Sequence, residues 1–434
     1  MTSDVLAQRL AQLSAADKQR LLAHLARKRA EEAAAQQARV DLDGWVADAT
    51  LDPAIQPAGP ASPPGDPRAV LLTGATGFLG AHLLADLCEH TAATIYCVVR
   101  ARDAAQARQR LELNFACYFA HPVDRDRVRP LVGDLTQPAL GLTPQTSAIL
   151  AREIDTIVHN GAQLHHMASY SQLKAANVDS TVALLRLAAT VRPKWLHYVS
   201  TLVAVVDRDS DGGLLEEFPA DNPTELAGGY AQSKWVSEKL LSEAAQRGIG
   251  VTIFRPGFIS GRSDTGAWPV ENDHLLRAVK GCVQLGYAPE SDLTPNMAPV
   301  DFVSAAIVRI ALSQTATGQL FNLSNPHRVS WETLLGWLQS FGYRLSVVPD
   351  AVWRDRHLAG VTRDNALFPV LPLYLGGDVT DSHVKLLSKL AKVRTERSMA
   401  VLAELQMAFP ATDRALWQRY VTYFQQCGFL PIPA

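Results

Sequence analysis

Between Ala69 and Glu89 the chain changes character twice within a few residues. An apolar run, Val70-Leu71-Leu72, leads into Thr73-Gly74-Ala75-Thr76-Gly77-Phe78-Leu79-Gly80, and the helical pattern Ala81–Glu89 follows at once. A strand can turn straight into a helix only where the corner has backbone freedom and no side chain holds the two elements apart. Gly74 permits the turn, Gly77 lets a pyrophosphate approach the backbone, and Gly80 lets helix and strand pack closely. The helix N-terminus adds unpaired N–H groups and positive potential for phosphates. Three spaced glycines are weak evidence alone. In this strand–turn–helix context they predict a dinucleotide site that includes Gly74, Thr76, Gly77, Phe78 and Leu79.

The pattern repeats downstream. Short β-branched or apolar runs at 69–73, 94–99, 129–132, 154–158, 195–200 and 250–255 alternate with helical stretches at 79–89, 103–117, 170–191 and 229–247. Such alternation predicts an α/β fold, a Rossmann-type doubly wound parallel sheet covered by helices on both faces. After Pro256 the regularity fades, and clusters such as Trp331–Phe341 and Ser382–Leu405 predict a smaller, mostly helical C-terminal subdomain. Ahead of the glycine turn, Leu6, Leu10, Leu13, Leu21, Leu22 and Leu25 recur near helical period, and Ser14 can cap a helix over Ala15–Ala35. Pro53, Pro57, Pro60, Pro63, Pro64 and Pro67 then read as a linker. The expected division is a leader and linker at 1–67, a dinucleotide-binding domain at 68–260 and a substrate subdomain at 261–434.

The 434 residues are 47% hydrophobic, enough for sizeable cores, and the formal charge of −2 supplies no basic field for nucleic acid. Five scattered cysteines lack metal or redox-pair spacing, so no metal is expected. No apolar stretch nears the ~20 residues needed to span a bilayer, and Asp4 and Arg9 spoil any signal peptide. A soluble cytoplasmic protein is expected.

Cofactor choice is readable after the second strand. A site for NAD places an acid about 20 residues past the glycines, on the ribose hydroxyl. Here that stretch is Val98-Val99-Arg100-Ala101-Arg102, and Arg100 puts a cation where the acid would be. Arg110, in the following helix, adds to the same pocket. Together they favour the 2′-phosphate of NADPH through charge-assisted hydrogen bonds. Asp134, in Gly133-Asp134-Leu135, can reach the adenine edge while Leu135 packs near it. The small residues of His159-Asn160-Gly161-Ala162, with Gln163 next, let a cofactor lie against the fourth strand's end. Pro256, in Arg255-Pro256-Gly257-Phe258, is expected to line the nicotinamide end.

Tyr230 and Lys234, in Tyr230-Ala231-Gln232-Ser233-Lys234, share one face of a helix. Hydride transfer to a carbonyl leaves an oxygen that needs a proton, which a positioned Tyr can supply. A neighbouring ammonium favours the phenolate and brings the phenol toward a useful range. Lys234 can do this while binding the nicotinamide ribose. Thr201, ending His197-Tyr198-Val199-Ser200-Thr201, can hydrogen-bond the substrate oxygen as charge develops. Asn177 can orient the backbone or a water beside the Lys or be an ordinary polar helix residue, and His165 and His166 border the expected substrate cleft.

These residues resemble the extended short-chain dehydrogenase/reductase superfamily. More narrowly, the segments from Thr73 to Gly80, Tyr96 to Ala101, Gly133 to Leu135, Tyr198 to Thr201, Gly229 to Trp235 and Arg255 to Gly257 resemble the thioester reductase domains of nonribosomal peptide and polyketide synthetases and of carboxylic acid reductases. The likeness runs over about residues 68–425, and Asp41–Pro57 looks like the lead-in from a carrier domain. It implies a Thr201/Tyr230/Lys234 triad and NADPH-dependent reductive release of an acyl or peptidyl thioester from a phosphopantetheine-bearing carrier protein, giving an aldehyde or, in some relatives, an alcohol. No Gly-x-Asp-Ser-type carrier serine is found, so the carrier acts in trans or the chain belongs to a larger synthetase. Leu21, Leu22 and Leu25, flanked by Lys18, Arg20, Arg27, Lys28 and Arg29, offer an acidic carrier an apolar and basic docking helix. Other readings are a fatty acyl-CoA reductase, a nucleotide-sugar epimerase or dehydratase, and a non-catalytic NADP-sensing regulator.

Overall fold

Apart from the edge strand at 128–132, the strands of the main sheet are apolar and largely buried, as a sheet covered on both faces requires, and they pair in parallel throughout. The computed structural model describes residues 44–60, 64–165, 168–221, 223, 226, 228–271, 273–314, 318–371, 374 and 392–433. The chain divides into two units, Met1–Ala49 and Thr50–Ala434. Of the first, only residues 44–49 are described, so the helix expected over Ala15–Ala35, with its basic flank, lies outside the described residues.

In the second unit, β1 (Ala69–Thr73) leads to α1 (Phe78–His90), β2 (Thr94–Val99), α2 (Ala104–Ala116), β3 (Val128–Val132), α3 (Pro144–Glu153) and β4 (Thr156–His159). Next come α4 (Tyr170–Lys174), a π-helical turn (Ala175–Asp179), α5 (Ser180–Ala189), β5 (Trp195–Val199), α6 (Gly229–Gln246) and β6 (Val251–Pro256). There follow β7 (Phe258–Ser260), α7 (His274–Leu285), β8 (Tyr287–Pro289), β9 (Met297–Pro299), α8 (Val300–Ala311), β10 (Leu320–Leu323), α9 (Trp331–Ser340), β11 (Ser346–Val348), α10 (Glu396–Glu404) and α11 (Arg414–Gln426). The main sheet has seven strands in the order β10-β6-β5-β4-β1-β2-β3. Chain direction across the sheet reverses between β1 and β4, and that switch opens a crevice at the strands' carboxyl ends. Among the described residues, no helix is long and apolar enough to cross a membrane.

Three features depart from expectation. First, the boundary at 260/261 is not clean. β10 pairs with β6 (Leu320 with Ile253, Leu323 with Pro256), and α8 and α10 share a core with α1, so residues 297–323 and 396–404 return to the dinucleotide-binding layer. A second core, built on Trp268, Trp331, Trp353, Trp417 and Tyr420, holds the remaining C-terminal part together. Second, the linker assigned to 53–67 begins as an anchored segment. Leu51 and Ile55 are buried, and Arg247 at the end of α6 donates to the carbonyls of Leu51 (2.8 Å), Asp52 (2.7 Å) and Ile55 (3.1 Å). Leu51 N–H in turn donates to Glu243 at 3.0 Å, and Asp52 pairs with Arg186 at 2.5 Å. Pro53 and Pro57 lack N–H groups, and they fall where Arg247 takes up the neighbouring carbonyls. Third, the helix expected over 170–191 is broken by the π-helical turn, and α3 was not expected at all.

Gly80 sets how closely α1 approaches the strand. A Cβ there would fall on the Gly74 carbonyl and within 2.9 Å of Ala75 Cα. Gly336 on α9 has nothing within 4 Å of the same position. Gly80→Ala should therefore cost about 1–3 kcal/mol through overpacking, whereas Gly336→Ala should stabilise by roughly 0.5–1 kcal/mol. Urea unfolding of the two variants checks the opposite signs.

Candidate active site

The crevice is built first from backbone. Gly74 has φ +74°, and a Cβ on it would lie 2.8 Å from Gly161 Cα and Gly161 N. A Cβ on Gly161 would in turn meet Leu135 Cδ1 at 2.6 Å and Thr73 Oγ1 at 3.0 Å. The ends of β1 and β4 and the loop after β3 thus converge on a pair of glycines, where backbone packs directly against backbone. α1 begins after Gly77, which has no side chain to cap its first N–H groups. Those donors and the glycine cradle fit a dinucleotide pyrophosphate. Asn114 of α2 donates to the carbonyls of Ala75 (3.4 Å) and Gly77 (3.1 Å) and so braces the turn. The sequence pattern gives no sign of this contact, because Asn114 is one polar residue on a helix.

At the end of β2, Arg100 is exposed and Arg110 Nη1 donates to its backbone carbonyl, which brings the Arg110 guanidinium to the end of that strand. Asp134 Oδ1 accepts from Thr136 N (2.9 Å) and Thr136 Oγ1 (2.8 Å), and this oxygen closes its own turn. Thr76 and Phe78 are half-buried and Leu79 is buried. Ala162 and Gln163 are exposed after β4, and Pro256 is buried at the end of β6.

The proton-transfer candidates sit at the end of β5 and the start of α6. Gly229 allows that start, since a Cβ on it would run into the backbone of Ser169 and Tyr170. Lys234 is buried, its Nζ donates to Val199 O at 2.8 Å and lies 4.5 Å from the centre of the Tyr198 ring. Burial draws its pKa down to about 7, while the Glu238 carboxylate works the other way. Tyr230 is half-buried, and loss of solvent pushes its phenol above the usual range. Thr201 follows Val199 by two residues, is half-buried, and accepts from Val203 N at 3.4 Å. The ammonium, held at Val199 O, and the hydroxyl thus belong to one strand end, while the phenol opens the helix that carries the ammonium.

Asn177 has a structural task. Its Oδ1 accepts from Gln163 N at 2.7 Å, and its Nδ2 donates to Gln163 O (3.1 Å) and Ser233 Oγ (2.9 Å). Its own carbonyl takes the hydroxyls of Thr181 (2.8 Å) and Ser237 (3.0 Å). The π-helical turn therefore ties the segment after β4 to the helix of Tyr230 and Lys234. His159 is buried between Thr73 Oγ1 (2.8 Å) and Thr181 Oγ1 (3.2 Å), and burial holds its pKa at about 3. It is a neutral bridge. His165 is exposed beside the cleft, and His166 lies outside the described residues. Arg255, just ahead of Pro256, turns its guanidinium inward to Glu238.

The family model described as "Male sterility protein", an NAD-binding domain, matches residues 72–307. A linear gramicidin synthase chain from Brevibacillus parabrevis is 34% identical over 404 residues, which are 91% of this chain and 8% of that protein. Isonitrile lipopeptide synthase of Streptomyces coeruleorubidus is 38% identical over 403 residues, 90% of this chain and 26% of that one. The chain thus spans about a quarter or less of these two relatives. Among solved structures, the terminal R domain from the myxalamid PKS-NRPS biosynthetic pathway matches with a TM-score of 0.77 at 36% identity, covering 91% of this chain and 100% of that one. A reductase domain of a nonribosomal peptide synthetase from Mycobacterium tuberculosis matches at 0.72 and 26%, covering 89% and 99%.

Asn177→Ala would strip partners from both backbone groups of Gln163. The expected loss is about 1–3 kcal/mol of stability, together with weaker dinucleotide binding. Urea unfolding and fluorescence titration measure the two. An unchanged unfolding midpoint would show that the Gln163 segment is held without Asn177.

Proposed function

The chain belongs to the NAD-binding family described as "Male sterility protein", and on that premise we propose that it is an NADPH-dependent reductase that releases an acyl or peptidyl thioester from a carrier protein as an aldehyde. The observation that carries the reading is the match, over the full length of the other chain, to a reductase domain at 36% identity. It is supported by the arrangement of Thr201, Tyr230 and Lys234 at one edge of the glycine-walled crevice. A dinucleotide held by the glycine turn would supply the hydride that the thioester carbonyl carbon takes up. Thr201 then offers its hydroxyl to the oxygen on which negative charge develops. Tyr230 gives that oxygen its proton, and the Lys234 ammonium steadies the phenolate that remains. The resulting hemithioacetal collapses, the carbon–sulfur bond breaks, and the thiol of a phosphopantetheine arm leaves with a proton as the aldehyde is released. Gly74, Thr76, Gly77, Phe78, Leu79 and Leu135 are assigned to the dinucleotide's walls, with Asp134, Ala162, Gln163 and Pro256 at its rim.

The preference for NADPH rests on Arg100 and Arg110. Arg100→Ala should raise the Michaelis constant for NADPH about tenfold or more while leaving that for NADH nearly unchanged, since only a phosphate loses a charge-assisted bond worth roughly 1.5–3 kcal/mol. Equal effects on both cofactors would remove Arg100 from phosphate recognition.

The activity is tested by supplying an acyl thioester on a phosphopantetheinylated carrier protein, and the same acyl group on coenzyme A, with NADPH. Aldehyde should form faster from the carrier. Tyr230→Phe keeps the ring and removes the proton, so turnover should fall by about 10²-fold or more with NADPH affinity little changed. Native turnover in that variant would rule Tyr230 out as the acid. Faster reduction of the coenzyme A thioester would replace the carrier with a free acyl donor.

A further inference from the structure

One helical turn beyond Lys234, α6 carries Glu238 into the interior, where it is fully buried beside a fully buried Arg255 from β6. Arg255 Nε donates to both carboxylate oxygens (2.9 and 3.1 Å) and Nη2 to Oε2 (2.5 Å), while Nη1 reaches Leu215 O at 3.2 Å. The same carboxylate accepts from Ser200 Oγ at 2.5 Å, and Ser200 N is held by Phe254 O at 2.6 Å. Ser200 lies between Val199, whose carbonyl takes the Lys234 ammonium, and Thr201. We infer that Glu238 is a positioning residue that acts through Lys234, as its buried counter-charge and as the clamp on the strand end that the ammonium grips. This rests on the reading of Lys234 as the partner of Tyr230 in proton transfer.

The need follows from burial. A lysine enclosed by protein sheds its proton unless a negative charge is near. The groups facing Lys234 are Tyr230 and Glu238 on its own helix, the face of Tyr198 from β5, neutral His159 from β4, and Arg255 from β6 behind the carboxylate. Of these, Glu238 alone brings negative charge. At i+4 it shares the face of α6 that carries Tyr230 and Lys234. An ion pair that served stability alone could be exchanged for apolar side chains at little cost. Removing this one takes away the charge that opposes desolvation of Lys234. It also frees Ser200, and with it the spacing between Val199 O and Thr201.

The test follows the lysine's own titration. In the full chain labelled with 13C at lysine Cε, the Lys234 resonance is the one missing from Lys234→Met. Glu238→Gln should lower its titration midpoint by at least one pH unit, and Glu238→Asp should restore most of that shift. With NADPH and a carrier thioester, the alkaline limb of kcat should move down by the same amount, with the KM for NADPH changing less than threefold. A midpoint within 0.3 units of native, alongside a lowered Tm, would make Glu238 a structural residue and overturn the inference. Should Glu238→Gln fail to fold, Glu238→Gln/Arg255→Met removes both charges together. A downward shift smaller than in the single variant is then expected, since no unpaired Arg255 cation remains beside the lysine, and an unmoved midpoint overturns the inference as before. A shifted midpoint with an unmoved kcat limb would sustain Glu238 as the counter-charge and reject Lys234 as the helper of Tyr230.

Discussion

The meeting of Gly74 and Gly161, backbone against backbone, sets the geometry of everything at the carboxyl edge of the sheet. β1 and β4 are neighbours whose chains leave in opposite directions, and the crevice between them narrows to the point where a single Cβ would lie 2.8 Å from the facing backbone. Thr73 completes the join. Its hydroxyl accepts from Gly161 N at 2.9 Å and meets His159 at 2.8 Å. Because His159 is uncharged at neutral pH, it joins Thr73 and Thr181 without placing a cation next to Lys234. The junction of β1 and β4 is therefore fixed to α5 by hydrogen bonds between neutral groups.

What was legible in the sequence was local. The β1–α1 corner announces itself because every residue that makes it lies within about a dozen positions, and Tyr230 and Lys234 because one helical turn brings them together. Strands β1, β2 and β5 fall within a residue of their expected limits. What escaped depends on distant partners. β10 is four residues long, and only its pairing with β6 makes it part of the sheet. Leu51 and Ile55 sit among prolines that read as a linker, and their anchor, Arg247, lies almost two hundred residues on. Asn177 could be a plain surface polar residue until the fold brings Gln163 and Ser233 to it. Arg255 immediately precedes Pro256, the residue expected at the nicotinamide end. Its guanidinium turned inward because Glu238 could be satisfied there by two strands at once.

The C-terminal half shows how one stretch of chain serves two layers. α8 lies along α1 and completes the core of the dinucleotide-binding layer, while α7, α9 and α11 close a separate aromatic core. Asn296 and Asn325 stitch the two together. Asn296 donates to Ser324 Oγ (2.7 Å) and Asn325 O (2.9 Å), and Asn325 donates to Met297 O (2.7 Å) and Pro410 O (3.1 Å). A substrate resting on this part would be registered against the strand ends by buried amides, which hold position through direction rather than charge.

The anchoring of residues 51–55 by Arg247 also decides where an incoming chain is tied. Tyr230 stands at the first turn of the 18-residue helix α6 and Arg247 just past its last. At 1.5 Å per residue the two lie about 26 Å apart along the helix axis. Residues 51–55 are thus held at the far end of α6 from Tyr230. The two ends of α6 therefore answer to different parts of the chain, the start to the π-helical turn and the end of β5 and the last turn to a segment almost two hundred residues earlier.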